Sequence, residues 1–288
     1  MLKKITVIGL GMMGASLCLA AKKRIPNIKI TSIVRKEIYV QKAKEKKIVD
    51  DIFVGMNESA FDADIIIISV PVLSIDSVLK DIKPFLKKGT IVTDMGSVKG
   101  LIMEQAEKVF GTEQEVFIGS HPMCGSEKSG MDHAKEDLFI SSTCIVTKTK
   151  SSPVKDVEKL VSFWKSLGCN IIEMDANEHD SQVAIISHLP HLLSTVLMNH
   201  TVELSSKHKQ LLNIAGSGFS DMTRLSAGNP SIWMDIFEAN RESVIRSLTD
   251  YKNSLNKILD LLKENKKEDV FLFLKNGAEN KKDFENNK

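Results

Sequence analysis

Neither sign of charge prevails in this 288-residue chain: 39 Lys and Arg stand against 37 Asp and Glu, a formal net charge of +2. Such a chain has no electrostatic reason to bind nucleic acid or an anionic membrane, which leaves a small molecule or a second copy of itself as the expected partner. Cysteine is scarce too. Cys18, Cys124, Cys144 and Cys169 form no CxxC pair and no metal-ligand spacing, which fits reduced thiols in a cytosolic chain better than a disulfide framework, and no metal is expected. Long apolar runs are not expected either. None is expected to reach the roughly 18 to 20 residues of a membrane helix, and the chain passes from "MLKK" directly into a first strand, so a cytoplasmic protein is expected.

What is there is a globular composition, 42% hydrophobic and 26% charged, long enough for two domains. Short β-branched runs such as "KITVIG", "KITSIV", "DIIIISVP", "TIVTDMG", "VFIGSHP", "TCIVTK" and "NIIEM" alternate with amphipathic stretches, which predicts βαβ units and a parallel sheet covered on both faces. "IIIISV" is apolar at successive positions, as expected of a central strand buried on both sides. From about Ala176 the strand signals stop, and 177–205, 231–249 and 251–264 read as helices. Ile236, Asn240, Val244, Leu248, Tyr251, Leu255, Ile258 and Leu262 recur every three or four positions along one face. The expected fold is therefore α/β followed by all-α: a doubly wound parallel sheet over 1–174, a helical domain over 175–277 and a polar tail, 278–288, that should fray.

Gly9-Leu10-Gly11-Met12-Met13-Gly14 matches G-x-G-x-x-G after a strand and at the start of a helix. The first glycine permits the turn, the second lets the backbone approach a pyrophosphate, and the third lets helix and strand pack. An NAD or NADP cofactor is expected. Where NAD enzymes place an acidic residue at the end of the second strand, this chain has Arg35, which can pair with a 2′-phosphate and so leans toward NADP. The alternative is that Arg35 lies on the adenine and accepts either cofactor. Ser69, Val70 and Pro71 follow the buried strand, near the expected ribose and nicotinamide, and Ser97 in "DMGSVKG" stands at an expected helix N-cap.

"GSHPMCGSEKSG" (119–130) is expected on the same sheet edge as Ser97. Together with "GLGMMG", "DMGSVKG", "SHLPH" and "DMTRLSAGNPSIWMDIF", in that order, it makes the chain resemble the prephenate dehydrogenases, a family that includes arogenate and cyclohexadienyl dehydrogenases, over nearly its whole length. The resemblance implies a Rossmann-type nucleotide domain, a helical domain that dimerises, and the oxidative decarboxylation of prephenate to 4-hydroxyphenylpyruvate, with arogenate as the alternative substrate. By resemblance His121 accepts the proton of the substrate's 4-hydroxyl and Ser97 orients that group; a neutral imidazole near its ordinary pKa suits the task. His191, with His188 and Ser187, is implied to line the substrate pocket, Arg224 to hold a carboxylate, and Ser126 and Glu127 to join the pocket's polar network. Trp233 falls at a family position near the site. Cys124 stands where the family carries alanine and reads as a small apolar filler. Two other readings stay open: a β-hydroxyacid dehydrogenase, which shares the glycine loop and a helical second domain but gives no reason for HPMCGSEKSG, and a non-catalytic NADP-binding sensor.

Overall fold

The computed structural model describes residues 2–111, 116–125 and 128–286. Alternation of strand and helix appears as expected: β1 (Lys4–Ile8), α1 (Met12–Arg24), β2 (Lys29–Val34), α2 (Glu37–Glu45), β3 (Asp51–Val54), β4 (Ile65–Ile68), α3 (Ile75–Ile82), β5 (Ile91–Asp94) and α4 (Gly100–Phe110). All the pairings among these strands are parallel, in the order β3-β2-β1-β4-β5. β4 is buried at every position, as a central strand with helices on both faces must be.

Beyond α4 the expectation of one continuous parallel sheet is corrected. β6 (Gly119–Pro122), β7 (Thr143–Thr147), α5 (Val154–Ser166) and β8 (Asn170–Glu173) form a second, three-stranded sheet in which β6 runs antiparallel to β7. Among the described residues, a bridge from Val92 to Phe117 continues the first sheet toward it. Trp164 closes the joint: its ring is fully buried and its Nε1 donates to Ser120 Oγ at 3.0 Å, while Ser120 Oγ and Thr93 Oγ1 lie 2.7 Å apart.

Helices follow: α6 (Ala176–Val183), α7 (Leu189–Ser205), α8 (Ser217–Thr223) and α9 (Pro230–Ala239). α6 and α7 are joined by a single π turn over Ala184–His188. Pro190, in the first turn of α7, has no N–H to return to the preceding turn, and the widened turn before it absorbs the missing bond. The continuous run Ala176–Ser205 is long and apolar enough to cross a membrane by length and composition, which corrects the expectation that no such stretch exists; here it turns His179, His188 and His191 inward.

The expected break at residue 250 falls instead at Asn240, which caps α9. Its side-chain amide donates to the Asp180 carbonyl at 2.7 Å and lies 3.3 Å from His188 Nδ1, so the chain is held there by side-chain bonds that no periodicity reveals. Residues 1–241 form one compact unit. The second, 242–288, carries α10 (Arg241–Lys263) and α11 (Lys267–Asn286), joined through Asn265 at φ 53°. The tail expected to fray is helical through Asn286. Within this unit Leu255, Leu259, Leu262, Phe271 and Leu274 are exposed along the helices.

Candidate active site

The glycine turn is built locally. Gly9 follows β1 with φ at 97°, where a side chain is strained, and a Cβ there would strike the Ser69 carbonyl. A Cβ on Gly14 would strike the Gly9 carbonyl, so this glycine is what lets α1 pack on the turn. Gly11 differs. A Cβ there would meet nothing within 4 Å, and the residue lines a cleft of about 680 Å³. With no acidic side chain in its first turn, the positive end of the α1 dipole favours an anion, so the cradle fits a dinucleotide pyrophosphate. Met12, Met13, Ser69, Val70 and Pro71 line the same cleft, whereas Gly9, Leu10 and Gly14 shape the turn from behind. Arg35 is exposed in the bend after β2 and lies outside the cleft lining.

Ser97 and His121 reach this cleft from different sheets. The expected N-cap role of Ser97 is corrected: α4 begins at Gly100, and its N-terminus is capped from 80 residues away. Asp180 Oδ1 accepts the Lys99 N–H at 2.7 Å and Oδ2 the Gly100 N–H at 2.9 Å. Beneath this turn Lys99 and Asp94 form a fully buried ion pair, and Asp94 also accepts the Gly96 N–H at 2.8 Å and the Ser120 N–H at 3.1 Å. Every oxygen of the buried carboxylate is thereby satisfied, the condition for keeping a charge inside.

His121 lies on β6, 7% exposed, with Nδ1 at 2.8 Å from His179 Nε2; His179 Nδ1 in turn lies 2.8 Å from Asp180 Oδ1. Burial, with His179, Lys99 and His188 around it, holds the His121 imidazole well below the ordinary histidine range, which corrects the expectation of a near-ordinary value. The ring is a neutral base that would be hard to charge. Burial lowers His179 as well, against the opposing pull of Asp180.

The helices supply the other wall. His191 lies flat on Trp233, ring centroids 3.6 Å apart and planes 11° from parallel. A Cβ on Gly228 would fall 2.7 Å from Trp233 Nε1 and 2.9 Å from His191 Cε1, so only glycine lets the pair close. His191, Trp233, Ser187 and the exposed Arg224 all line the cleft. Cys124 lines it too, with burial pushing its thiol up to about 12, which keeps it from being a thiolate.

One expected lining residue falls elsewhere. His188 is fully buried and absent from the lining: it stands edge-on to Trp233, behind His191, with burial pushing it down to about 4. Ser126 and Glu127 lie outside the described residues. The sequence reading missed His179, Asp180, Lys99 and Asp94. The only signal was an adjacent His-Asp pair on the helix that also carries SHLPH; nothing in it said that residue 179 meets residue 121.

A phosphate-binding turn that shares one cleft with a hydroxyl and a buried neutral imidazole defines an NAD(P)-dependent oxidoreductase. Family models described as "Prephenate dehydrogenase, nucleotide-binding domain" and "Prephenate dehydrogenase, dimerization domain" match residues 17–173 and 175–276. The chain belongs to the prephenate dehydrogenase family. It is 34% identical to a prephenate dehydrogenase of Lactococcus lactis over 89% of this chain and 70% of that protein. Among solved structures it is similar to Aquifex aeolicus prephenate dehydrogenase in complex with hydroxyphenyl propionate and NAD+, with TM-score 0.93, 27% identity and 99% of each chain covered. Synechocystis arogenate dehydrogenase is similar as well, with TM-score 0.82 and 31% identity over 96% of this chain and 99% of that one.

Proposed function

We propose that this protein oxidatively decarboxylates prephenate to 4-hydroxyphenylpyruvate, with NAD+ or NADP+ as hydride acceptor. One observation carries the reading: the glycine turn, Ser97, His121, His191 and Arg224 converge on a single cleft, although they are spread over more than 200 residues of sequence. A bound nicotinamide supplies the hydride acceptor; Gly11 and the α1 N-terminus would hold its pyrophosphate, with Ser69, Val70 and Pro71 beside it. His121 accepts the proton of the 4-hydroxyl as the carbonyl develops, and Ser97 fixes the direction of that hydroxyl. Arg224 offers a planar fork of donors to a substrate carboxylate. His191, held flat by Trp233 and neutral, is placed to donate to the keto oxygen of the side chain. The presence of His191 at this family position, by resemblance, favours prephenate over arogenate.

The finer cofactor choice follows from Arg35: exposed at the end of β2, with no acidic residue in its place, it favours the 2′-phosphate of NADP+. We further infer a homodimer, supported by the matched dimerization domain and by the exposed leucine and phenylalanine side chains of α10 and α11. A solution mass of 32.0 kDa at micromolar concentration would contradict it.

The test is reduction of nicotinamide, followed by absorbance, with prephenate or arogenate and with NAD+ or NADP+. Turnover is expected with prephenate and faster with NADP+. Turnover with arogenate alone overturns the substrate assignment and leaves the fold and base standing. Silence in all four mixtures, with nucleotide still bound, returns the chain to the β-hydroxyacid or sensor reading.

A further inference from the structure

His121 poses a physical problem for its own role. It is the base of the proposed reaction, yet it is buried and ringed by Lys99, His179 and His188, all of which oppose a positive charge on it, while the carboxylates of Asp180 and Asp94 favour charge on its neighbour His179. A base so placed takes a proton readily only if the charge has somewhere to go.

The hydrogen-bond pattern provides a route. Asp180, as a carboxylate, only accepts, so His179 Nδ1 at 2.8 Å carries a proton and donates it. A neutral His179 then has a bare Nε2, and the 2.8 Å contact to His121 Nδ1 requires the proton to sit on His121 Nδ1. His121 Nε2, the ring nitrogen not engaged by His179, is left bare. Two adjacent bonds therefore set one tautomer at the base.

We propose that His179 and Asp180 are positioning residues for catalysis: they lock His121 with Nε2 unprotonated, and they take up the positive charge that arises when Nε2 accepts the substrate hydroxyl proton. This inference rests on the reaction proposed above. The hydroxyl O–H bond breaks and its proton bonds to His121 Nε2; the oxygen's electrons form the C4 carbonyl as the C4–H pair leaves as hydride to the oxidised nicotinamide. The Nδ1 proton of His121 shifts toward His179 Nε2, where the charge pairs with Asp180. When the C1–carboxylate bond releases CO2, its electron pair completes the aromatic ring, the ring oxygen takes the proton back from Nε2, and the shared proton returns from His179 Nε2 to His121 Nδ1, restoring the starting tautomer. The proton is lent and returned, so no exit to solvent is needed from a base only 7% exposed.

A purely structural role explains less. Asp180 already caps α4 with both oxygens and needs no histidine to do so. His179 is fully buried, and an apolar side chain there would avoid the cost of taking a polar ring out of water.

His179→Phe removes the acceptor, whereas His179→Gln keeps an oxygen able to accept from His121 Nδ1 but unable to take its proton. The first readout needs no turnover: nitrogen-15 NMR of the His121 ring in the nucleotide-free enzyme. Wild type and His179→Gln are expected to show protonated Nδ1 and bare Nε2, and His179→Phe a mixture of tautomers. In turnover, kcat should fall roughly tenfold for Gln and roughly hundredfold for Phe, with KM for prephenate and nucleotide affinity within about twofold of wild type. Single-tautomer His121 in a folded His179→Phe variant, or wild-type kcat in either variant, overturns the proposal. Should His179→Phe fail to fold, His179→Gln decides, since wild-type kcat there contradicts charge uptake and a changed tautomer contradicts the lock. An inactive wild type with the expected tautomer defeats the reaction assignment and leaves the lock standing.

Discussion

The nucleotide cradle and the support of the base are built at opposite ranges along the chain. The cradle is six consecutive residues, Gly9 to Gly14, whose job is done by backbone conformation and by the absence of side chains. The base is one residue, His121, whose environment is assembled from Asp94, Lys99, His179, Asp180 and Asn240, arriving on separate strands and helices. A backbone site tolerates change at its neighbours; a buried side-chain network depends on every member, because each group that loses its partner is left polar and dry.

The sharpest break in that comparison is Lys99→Met, which leaves the Asp94 carboxylate buried without its cation. Urea unfolding should register a loss of roughly 3–5 kcal/mol. A loss below about 1 kcal/mol would mean that the network is not interdependent.

Acid should weaken the helical side and spare the cradle. His188 binds a proton near pH 4 in the folded protein and near 6.5 when unfolded, so between these values the unfolded chain binds more protons and stability is lost as the pH is lowered. From that residue alone the loss approaches roughly 3 kcal/mol at 1.36 kcal/mol per pH unit, complete once the pH is below both values. Thermal unfolding between pH 7 and pH 4 checks it, and His188→Leu should flatten part of the slope.

The cradle should show the reverse pattern, a change in binding without a change in stability. Gly11→Ala adds a methyl that meets nothing in the protein, so its unfolding midpoint should hold while nucleotide Kd weakens by about tenfold, or about 1.4 kcal/mol. Equal losses in stability and binding would erase the contrast.

Legibility in the sequence follows the same division. The glycine turn, the strand and helix alternation and the helical second half were readable because each is a local pattern. So were Ser97, His121, His191 and Arg224, through short motifs that resemble one family. What escaped notice depends on long-range geometry: β6 turning antiparallel into a second sheet, Asp180 capping a helix 80 residues earlier, and Asn240 ending α9 in mid-stripe. The tail of α11 differs for another reason: its polar composition predicts fraying, yet the run contains good helix formers and is helical through Asn286.

The central claim is that His121 is the base of a nicotinamide-dependent oxidation, and the direct measurement is kcat together with nucleotide Kd for His121→Asn. The account predicts that kcat falls by roughly hundredfold or more while Kd stays within about twofold of wild type. Near-normal turnover in that variant would contradict it.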